Sequence, residues 1–151
     1  LDGGKCSVGV ESTIINLIDK PSIIRLGGLD IVKIQKALGH KINININPRN
    51  KIAPGQFRLH YSPGIPLKMN VIKPKSNDAF ILIKKRKSKI DNCYYLSLNN
   101  NLEQAAKNLY SCLRKIKKKG YKSISVEKIP NRGLGKTIND RLIRASKFKH
   151  R

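Results

Sequence analysis

Aromatic side chains are scarce in this chain. Tryptophan is absent, and phenylalanine and tyrosine together make up 5% of its 151 residues. None of these rings interleaves with the basic runs, so a stacking platform for single-stranded nucleic acid is not evident. Cysteine is equally thin. Cys6, Cys93 and Cys112 form no CxxC pair and leave an odd count, which argues against a disulfide framework or a zinc site. A reducing, cytoplasmic setting is the simple expectation, with the thiols acting as small buried hydrophobes. No stretch approaches the roughly 18 consecutive apolar residues of a membrane span. The N-terminus also lacks the basic-then-apolar pattern of a secretory signal, so no membrane partner is expected.

Acidic residues are few as well: nine, against 32 lysines and arginines, for a net charge of +23. Such a charge attracts phosphate polyanions such as RNA. It also follows from composition alone, because the whole chain is rich in Lys, Ile and Asn. The basic residues are spread throughout, with denser runs at 84–89 and 114–119. That spread favours the compositional reading and leaves weak RNA binding as a secondary expectation. The chain opens on Leu1 and runs straight into Asp2-Gly3-Gly4, which reads as a piece cut from a longer protein.

The periodicity is that of an α/β protein. Residues 6–17 carry β-formers (Val8, Val10, Ile14, Ile15) broken by small polar residues. A turn at Pro21 leads to a second short strand over 22–25. Asp30 is placed to cap a helix that ends at Gly39. Ile42, Ile44 and Ile46 alternate with polar residues over 41–47, a strand period. From Pro48 to Pro66 the pattern dissolves into prolines and glycines, the signature of a linker. The remainder alternates again: strands at 79–83, 93–98 and 123–129, and helices over about 102–119 and 137–147. Asn100 and Glu103 have capping-box spacing for the first of these helices. Strand–helix–strand order predicts a parallel crossover.

Four features invite a chemical reading. Gly135-Lys136-Thr137 resembles the end of a phosphate loop, but the first glycine of that motif is replaced by Pro130, which has no N–H and stiffens the turn. A tight strand-to-helix turn is the better reading. Ser12 and Thr13 place adjacent hydroxyls on an apolar strand, suited to a carboxylate or nucleotide. Neighbouring strand residues face opposite sides, so both cannot serve one site without a bulge. On pattern alone, purely structural hydroxyls are the better reading. Arg25 ends a strand beside Gly27-Gly28 and is either a phosphate-binding fork or a surface arginine. His60-Tyr61 sits in the linker, either as part of a lid that excludes water or as a simple docking contact.

Taken in order, these pieces resemble the threonylcarbamoyl-AMP synthase family, in which a YrdC-like domain is joined to a smaller C-terminal domain. The matching residues are Asp2-Gly3-Gly4, Gly9-Val10-Glu11-Ser12-Thr13, Ile24-Arg25 with Gly27, Ala53-Pro54-Gly55, and His60-Tyr61-Ser62-Pro63. Near the end come Gly133-Leu134-Gly135 and Ile138-Asn139-Asp140-Arg141-Leu142. Leu26, Asn16 and Phe57-Arg58-Leu59 depart from the family's usual residues.

The resemblance implies an α/β fold in three parts. Residues 1–47 form the C-terminal edge of a YrdC-like catalytic domain, 48–77 a linker or lid, and 78–151 a small Rossmann-like domain. It implies a nucleotidyltransferase reaction in which L-threonine and bicarbonate form a carbamate that attacks the α-phosphate of ATP. The products are pyrophosphate and threonylcarbamoyl-AMP, used to modify tRNA, with Mg2+ accompanying the ATP. Ser12 would contact threonine, Arg25 and Tyr61 the nucleotide, and His60 would set the lid; Thr13 is a weaker candidate. The family's Lys-x-Arg motif and Ser-x-Asn signature belong upstream of Leu1, so a separate N-terminal half is expected to complete the site. Without its neighbouring strands, the segment 6–39 is expected to be weak alone, and the region from about Asp78 to fold by itself. The alternatives are a non-catalytic basic module that binds RNA or protein, or an inactive remnant of the synthase.

Overall fold

The computed structural model describes residues 8–18, 20–48, 52–56, 61–86 and 92–147. Two small sheets organise the chain. In the first, β1 (Ile14–Asn16) pairs antiparallel with β2 (Ser22–Arg25), and β2 pairs parallel with β3 (Asn43–Ile44). The helix α1 (Ile31–Leu38) makes the crossover between the two parallel strands. Its ends follow the sequence reading. The Asp30 carboxylate accepts from the Val32 N–H at 2.9 Å, and Gly39 closes the helix at φ 73°, a conformation glycine adopts without strain. Ile23, Leu26, Ile31, Ile34 and Ile42 form the core of this unit. The strand expected over 41–47 is only two residues long. Ile42 is buried and Ile46 packs partly against the same core, while Ile44 is about half exposed, so two of the three isoleucines anchor it.

The second sheet is wholly parallel, with β4 (Leu67–Lys68), β7 (Ile124–Val126), β5 (Ala79–Leu82) and β6 (Cys93–Tyr95) in that spatial order. The continuous apolar run of β5 is buried on both faces, as a central parallel strand must be. Asp78 joins β5 to β7. Its buried carboxylate accepts from the hydroxyls of Ser123 and Ser125. The segment read as a linker contributes to this sheet. Leu67 lies beside Ile124, the Pro66 carbonyl accepts from Ile124 N–H at 2.8 Å, and Val71 N–H donates to the Val126 carbonyl at 2.9 Å.

Two helices cover the second sheet. On α2 (Leu102–Lys118), Ala105, Ala106, Leu109, Leu113 and Ile116 fall on one buried face. Its cap is Asn101, one residue later than the spacing of Asn100 and Glu103 suggests. Asn100 takes a left-handed turn at φ 61°, which leaves the extended Asn101 to accept from Gln104 N–H at 2.9 Å. The last helix, α3 (Leu134–Ser146), starts almost a turn earlier than its apolar period implies. Gly135 makes that possible, since a Cβ there would lie 1.9 Å from the Pro130 carbonyl oxygen. Thr137, the residue of the phosphate-loop look-alike, spends its hydroxyl on the Gly27 carbonyl at 3.0 Å. The two glycines therefore shape a tight strand-to-helix turn.

The helix α3 has two buried faces. Ile138, Leu142 and Ala145 pack into the second core. Thr137, Arg141 and Arg144, spaced i, i+4 and i+7, point to the first unit and hydrogen-bond its carbonyls. The first unit is thus held by polar contacts to the last helix in addition to its own small core.

Candidate functional site

Arg25 stands at the end of β2, opposite Ile14 of β1. That register sets it beside Ser12, two residues before the strand begins. Its guanidinium donates from Nε to the Ser12 carbonyl at 3.0 Å and from Nη2 to Ser12 Oγ at 2.9 Å. The remaining arm, Nη1, donates to the Pro54 carbonyl at 3.2 Å. One arginine therefore ties the strand entry to the segment after residue 48. Three of its five N–H groups are used, and the Ser12 hydroxyl keeps its own proton to donate.

Gly55 explains how Tyr61 joins them. At φ 82° and with no side chain, it leaves room for the phenol. A Cβ there would lie 2.3 Å from Tyr61 Oη and 3.5 Å from Arg25 Cδ. Ser12, Arg25 and Tyr61, separated by up to 49 positions (61 − 12), are thus brought to one place. Thr13 is not part of it. Its hydroxyl donates to the Leu29 carbonyl at 2.8 Å instead of joining Ser12 at Arg25. His60 lies outside the described residues.

Behind Tyr61 is a charged and aromatic cluster. Arg141, 1% exposed, places its guanidinium carbon 4.6 Å from the Tyr61 ring centroid. The same arginine donates from Nε to Glu11 Oε2 at 3.0 Å, from Nη1 to Asp140 at 2.5 Å and from Nη2 to the Leu26 carbonyl at 2.6 Å. Tyr110 of α2 stacks on Tyr61 at 5.8 Å and 22°, and its hydroxyl donates to Glu11 Oε2 at 3.0 Å. A neighbouring arginine, Arg144, bonds Asp140 and the carbonyls of Ile46 and Gln56. Gln56 is itself buried and donates to the Ile24 carbonyl at 2.9 Å. The carboxylates of Glu11 and Asp140 thus face the guanidiniums of Arg141 and Arg144. In front of the cluster opens a cavity of about 450 Å3, lined by Tyr61, Tyr110, Arg114 and Lys117 among others.

The electrostatics follow from this packing. Burial works to raise the Glu11 carboxyl. Its own backbone N–H, the Arg141 charge, and hydrogen bonds from Arg141 and Tyr110 outweigh that and hold it below the ordinary value of 4.5. Burial pushes the phenols of Tyr61 and Tyr110 up, so both stay neutral and able to donate across the physiological range. Away from this cluster, burial pushes the Cys112 thiol up to about 12, which makes it an unreactive core residue. Among the described residues, no group of three or more His, Cys, Asp or Glu could hold a metal ion, and no helix is long and apolar enough to cross a membrane.

A pH dependence follows for Glu11. Because its folded pKa is depressed, the unfolded chain binds more protons in acid. Stability is therefore full above about pH 4.5 and falls as pH drops through the lower folded value. Asp78 adds to the same acid-side loss: burial alone would raise its carboxyl, but the Ser123 and Ser125 hydroxyls hold it below 3.8. Urea unfolding midpoints between about pH 7 and about pH 3 should decline in the wild type. The decline should be shallower in Glu11→Gln, with Asp78 still contributing to it.

Sequence reasoning reached Ser12, Arg25 and Tyr61 but assigned no role to Glu11, Tyr110 or Arg141. The available signal was the polar i, i+4, i+7 stripe on α3, which looks like a solvent face in one dimension.

The fold and this cluster define a class: two α/β units, one a Rossmann-like parallel sheet, that meet along the polar face of α3 and at Tyr61. Comparison with known proteins names the family. The family described as threonylcarbamoyl-AMP synthase, C-terminal domain, matches residues 29–147, and the chain belongs to it. The threonylcarbamoyl-AMP synthase of Pyrococcus abyssi is 28% identical over 99% of this chain and 49% of its own length. That of Bacillus subtilis is 27% identical over 97% of this chain and 48% of its own. The chain therefore spans about half the length of the curated relatives it matches. The crystal structure of P. abyssi Sua5 complexed with L-threonine superposes with a TM-score of 0.79 at 29% identity, covering 96% of this chain and 48% of that one. A P. abyssi Sua5 in which a neighbouring histidine and tyrosine are replaced by alanine superposes with a TM-score of 0.75 at 27% identity, over 96% of this chain and 47% of that one.

Proposed function

We propose that this chain is the C-terminal portion of an L-threonylcarbamoyladenylate synthase, and that an N-terminal half completes its site. The observation that carries the reading is the Arg25 fork, which holds Ser12 on one side and the Pro54 carbonyl on the other, with Tyr61 alongside. In the reaction, L-threonine and bicarbonate give a carbamate, and a carbamate oxygen attacks the α-phosphate of ATP as pyrophosphate leaves. Ser12 Oγ accepts from Arg25, so its proton is directed outward and can meet the threonine substrate. The two spare N–H groups of Arg25 suit phosphate oxygens, where fixed donors offset charge developing in the transition state. Tyr61 lies over the nucleotide, and His60 beside it helps set the lid. The paired His and Tyr replacements in the P. abyssi protein fall on a neighbouring His–Tyr pair, and His60-Tyr61 is such a pair here. Mg2+ enters with the ATP as part of the substrate. A cytoplasmic setting suits a tRNA-modification enzyme.

The test is pyrophosphate release from ATP that requires both threonine and bicarbonate, measured with this chain alone and with its N-terminal half added. The chain alone should be silent and the mixture active, and Tyr61→Ala should reduce the activity of the mixture. Turnover by the chain alone would show that no essential group lies upstream. Silence of a mixture whose N-terminal half binds ATP would sink the synthase reading. Steeply salt-dependent RNA binding with no response to ATP would favour the basic-module reading instead. That alternative draws on a cavity of about 600 Å3 lined by Lys115, Lys119, Tyr94 and Tyr121. Those two tyrosines, however, are already engaged edge to face with each other at 5.7 Å.

A further inference from the structure

The Tyr61 backbone lies at φ 67°, a left-handed conformation that a bulky residue adopts only when its surroundings compensate the strain. Those surroundings come from three other parts of the chain. Glu11 precedes β1, Tyr110 lies on α2, and Arg141 lies on α3. Glu11 Oε2 accepts from both Tyr110 Oη and Arg141 Nε, so one carboxylate oxygen fixes both groups that touch the Tyr61 ring. Bonds from Nη1 to Asp140 and from Nη2 to the Leu26 carbonyl complete the anchoring of the guanidinium plane. An arginine anchored by all three of its nitrogens cannot rotate. It offers the ring a cation at a set position, in a place where burial strengthens the attraction.

We infer that Arg141 is a positioning residue. From the C-terminal domain it sets the placement of Tyr61, and through Tyr61 it sets the affinity of the completed site for nucleotide. The inference rests on the proposed function for its second half only; the placement of Tyr61 is a property of this chain by itself. A merely structural arginine would clamp the two units together, as Thr137 does through the Gly27 carbonyl. Thr137→Val is therefore the control.

The full chain is labelled with fluorotyrosine, and the Tyr61 resonance is assigned by its loss in Tyr61→Phe. Arg141→Lys keeps the charge but not the planar fork. It should shift the Tyr61 resonance and leave those of Tyr94 and Tyr121 in place. Asp140→Asn, which weakens the Nη1 anchor of the guanidinium and leaves the stacked ring in place, should move the same resonance if Arg141→Lys proves too unstable to study. Thr137→Val should leave it unmoved. In the mixture with the N-terminal half, Arg141→Lys should raise KM for ATP about tenfold, the scale of a desolvated cation–π contact, with kcat little changed. In a Tyr61→Ala background the same change should cost nothing further.

A Tyr61 resonance indifferent to Arg141→Lys, or to Asp140→Asn where the lysine variant is too unstable, would overturn the inference. So would an Arg141→Lys effect of equal size with and without Tyr61. If the resonance moves but the mixture never releases pyrophosphate, the placement of Tyr61 by Arg141 stands and the synthase reading falls.

Discussion

Arg141→Met should lower the thermal unfolding midpoint of the full chain by about 10 °C, a loss of roughly 3–5 kcal/mol. The guanidinium is 1% exposed, and its removal takes the Leu26 carbonyl's arginine donor and leaves the Glu11 carboxylate with Tyr110 but without its cation. Methionine fills much of the volume, so the loss measures the broken polar contacts more than a cavity. Asp140 is less affected, because Arg144 also bonds it at 3.0 Å. Adding Glu11→Gln to Arg141→Met should recover part of the loss, since the second change removes a half-buried charge that has lost its cation. Calorimetry on the single and double variants checks both statements. A drop of no more than about 1 kcal/mol would mean that the pair behaves as an exposed surface bridge.

Gly27→Ala should be nearly as costly and should also disable the candidate site. An alanine Cβ would lie 2.2 Å from the Ser12 carbonyl carbon and the Thr13 nitrogen and 2.4 Å from the Glu11 carbonyl oxygen. All three are backbone atoms, so no side chain can rotate away. The strand entry must retreat, and it carries Ser12 off the Arg25 fork and Glu11 off Arg141. We expect a loss of about 3 kcal/mol, the upper end for overpacking, together with loss of threonine-dependent turnover in the mixture. Gly39→Ala is the matched control. Nothing lies within 4 Å of its Cβ, so only the backbone conformation at φ 73° is penalised, by about 1 kcal/mol. Denaturation of the two variants side by side separates steric conflict from conformational preference. Equal losses would mean that the crossing at Gly27 is more yielding than its distances imply.

Much of this architecture is legible in the sequence where a single element decides its own shape. Asp30 and Gly39 bound α1 because capping is local chemistry. The apolar face of α2 repeats for almost five turns, and its buried residues are the periodic ones. The run at 79–82 is too apolar for anything but a central strand. Legibility fails where a partner far along the chain decides. Leu67–Lys68 is two residues long and becomes a strand because β7 lies beside it. Asn100 and Asn101 are chemically the same, and only the turn preceding α2 selects the second as its cap. At the candidate site, family resemblance points to Ser12, Arg25 and Tyr61. Arg141 and Arg144 stay hidden because periodicity reports polarity and not whether water or another segment satisfies it. An arginine among lysines in a chain of net charge +23 looks like one more surface cation.

The two-faced character of α3 bears on how the protein is made. The carbonyls of Leu26 and Gly27 leave the ribosome long before the side chains that bind them; Arg141 follows Leu26 by 115 residues. At about 5–20 residues per second, that separation is a wait of roughly 6–23 seconds. Throughout it the nascent first unit has its small isoleucine core but not its clamp. Translation of α3 then closes both units in one event, so a transcript that stops before Leu134 would cost the first unit its clamp as well as the second its helix.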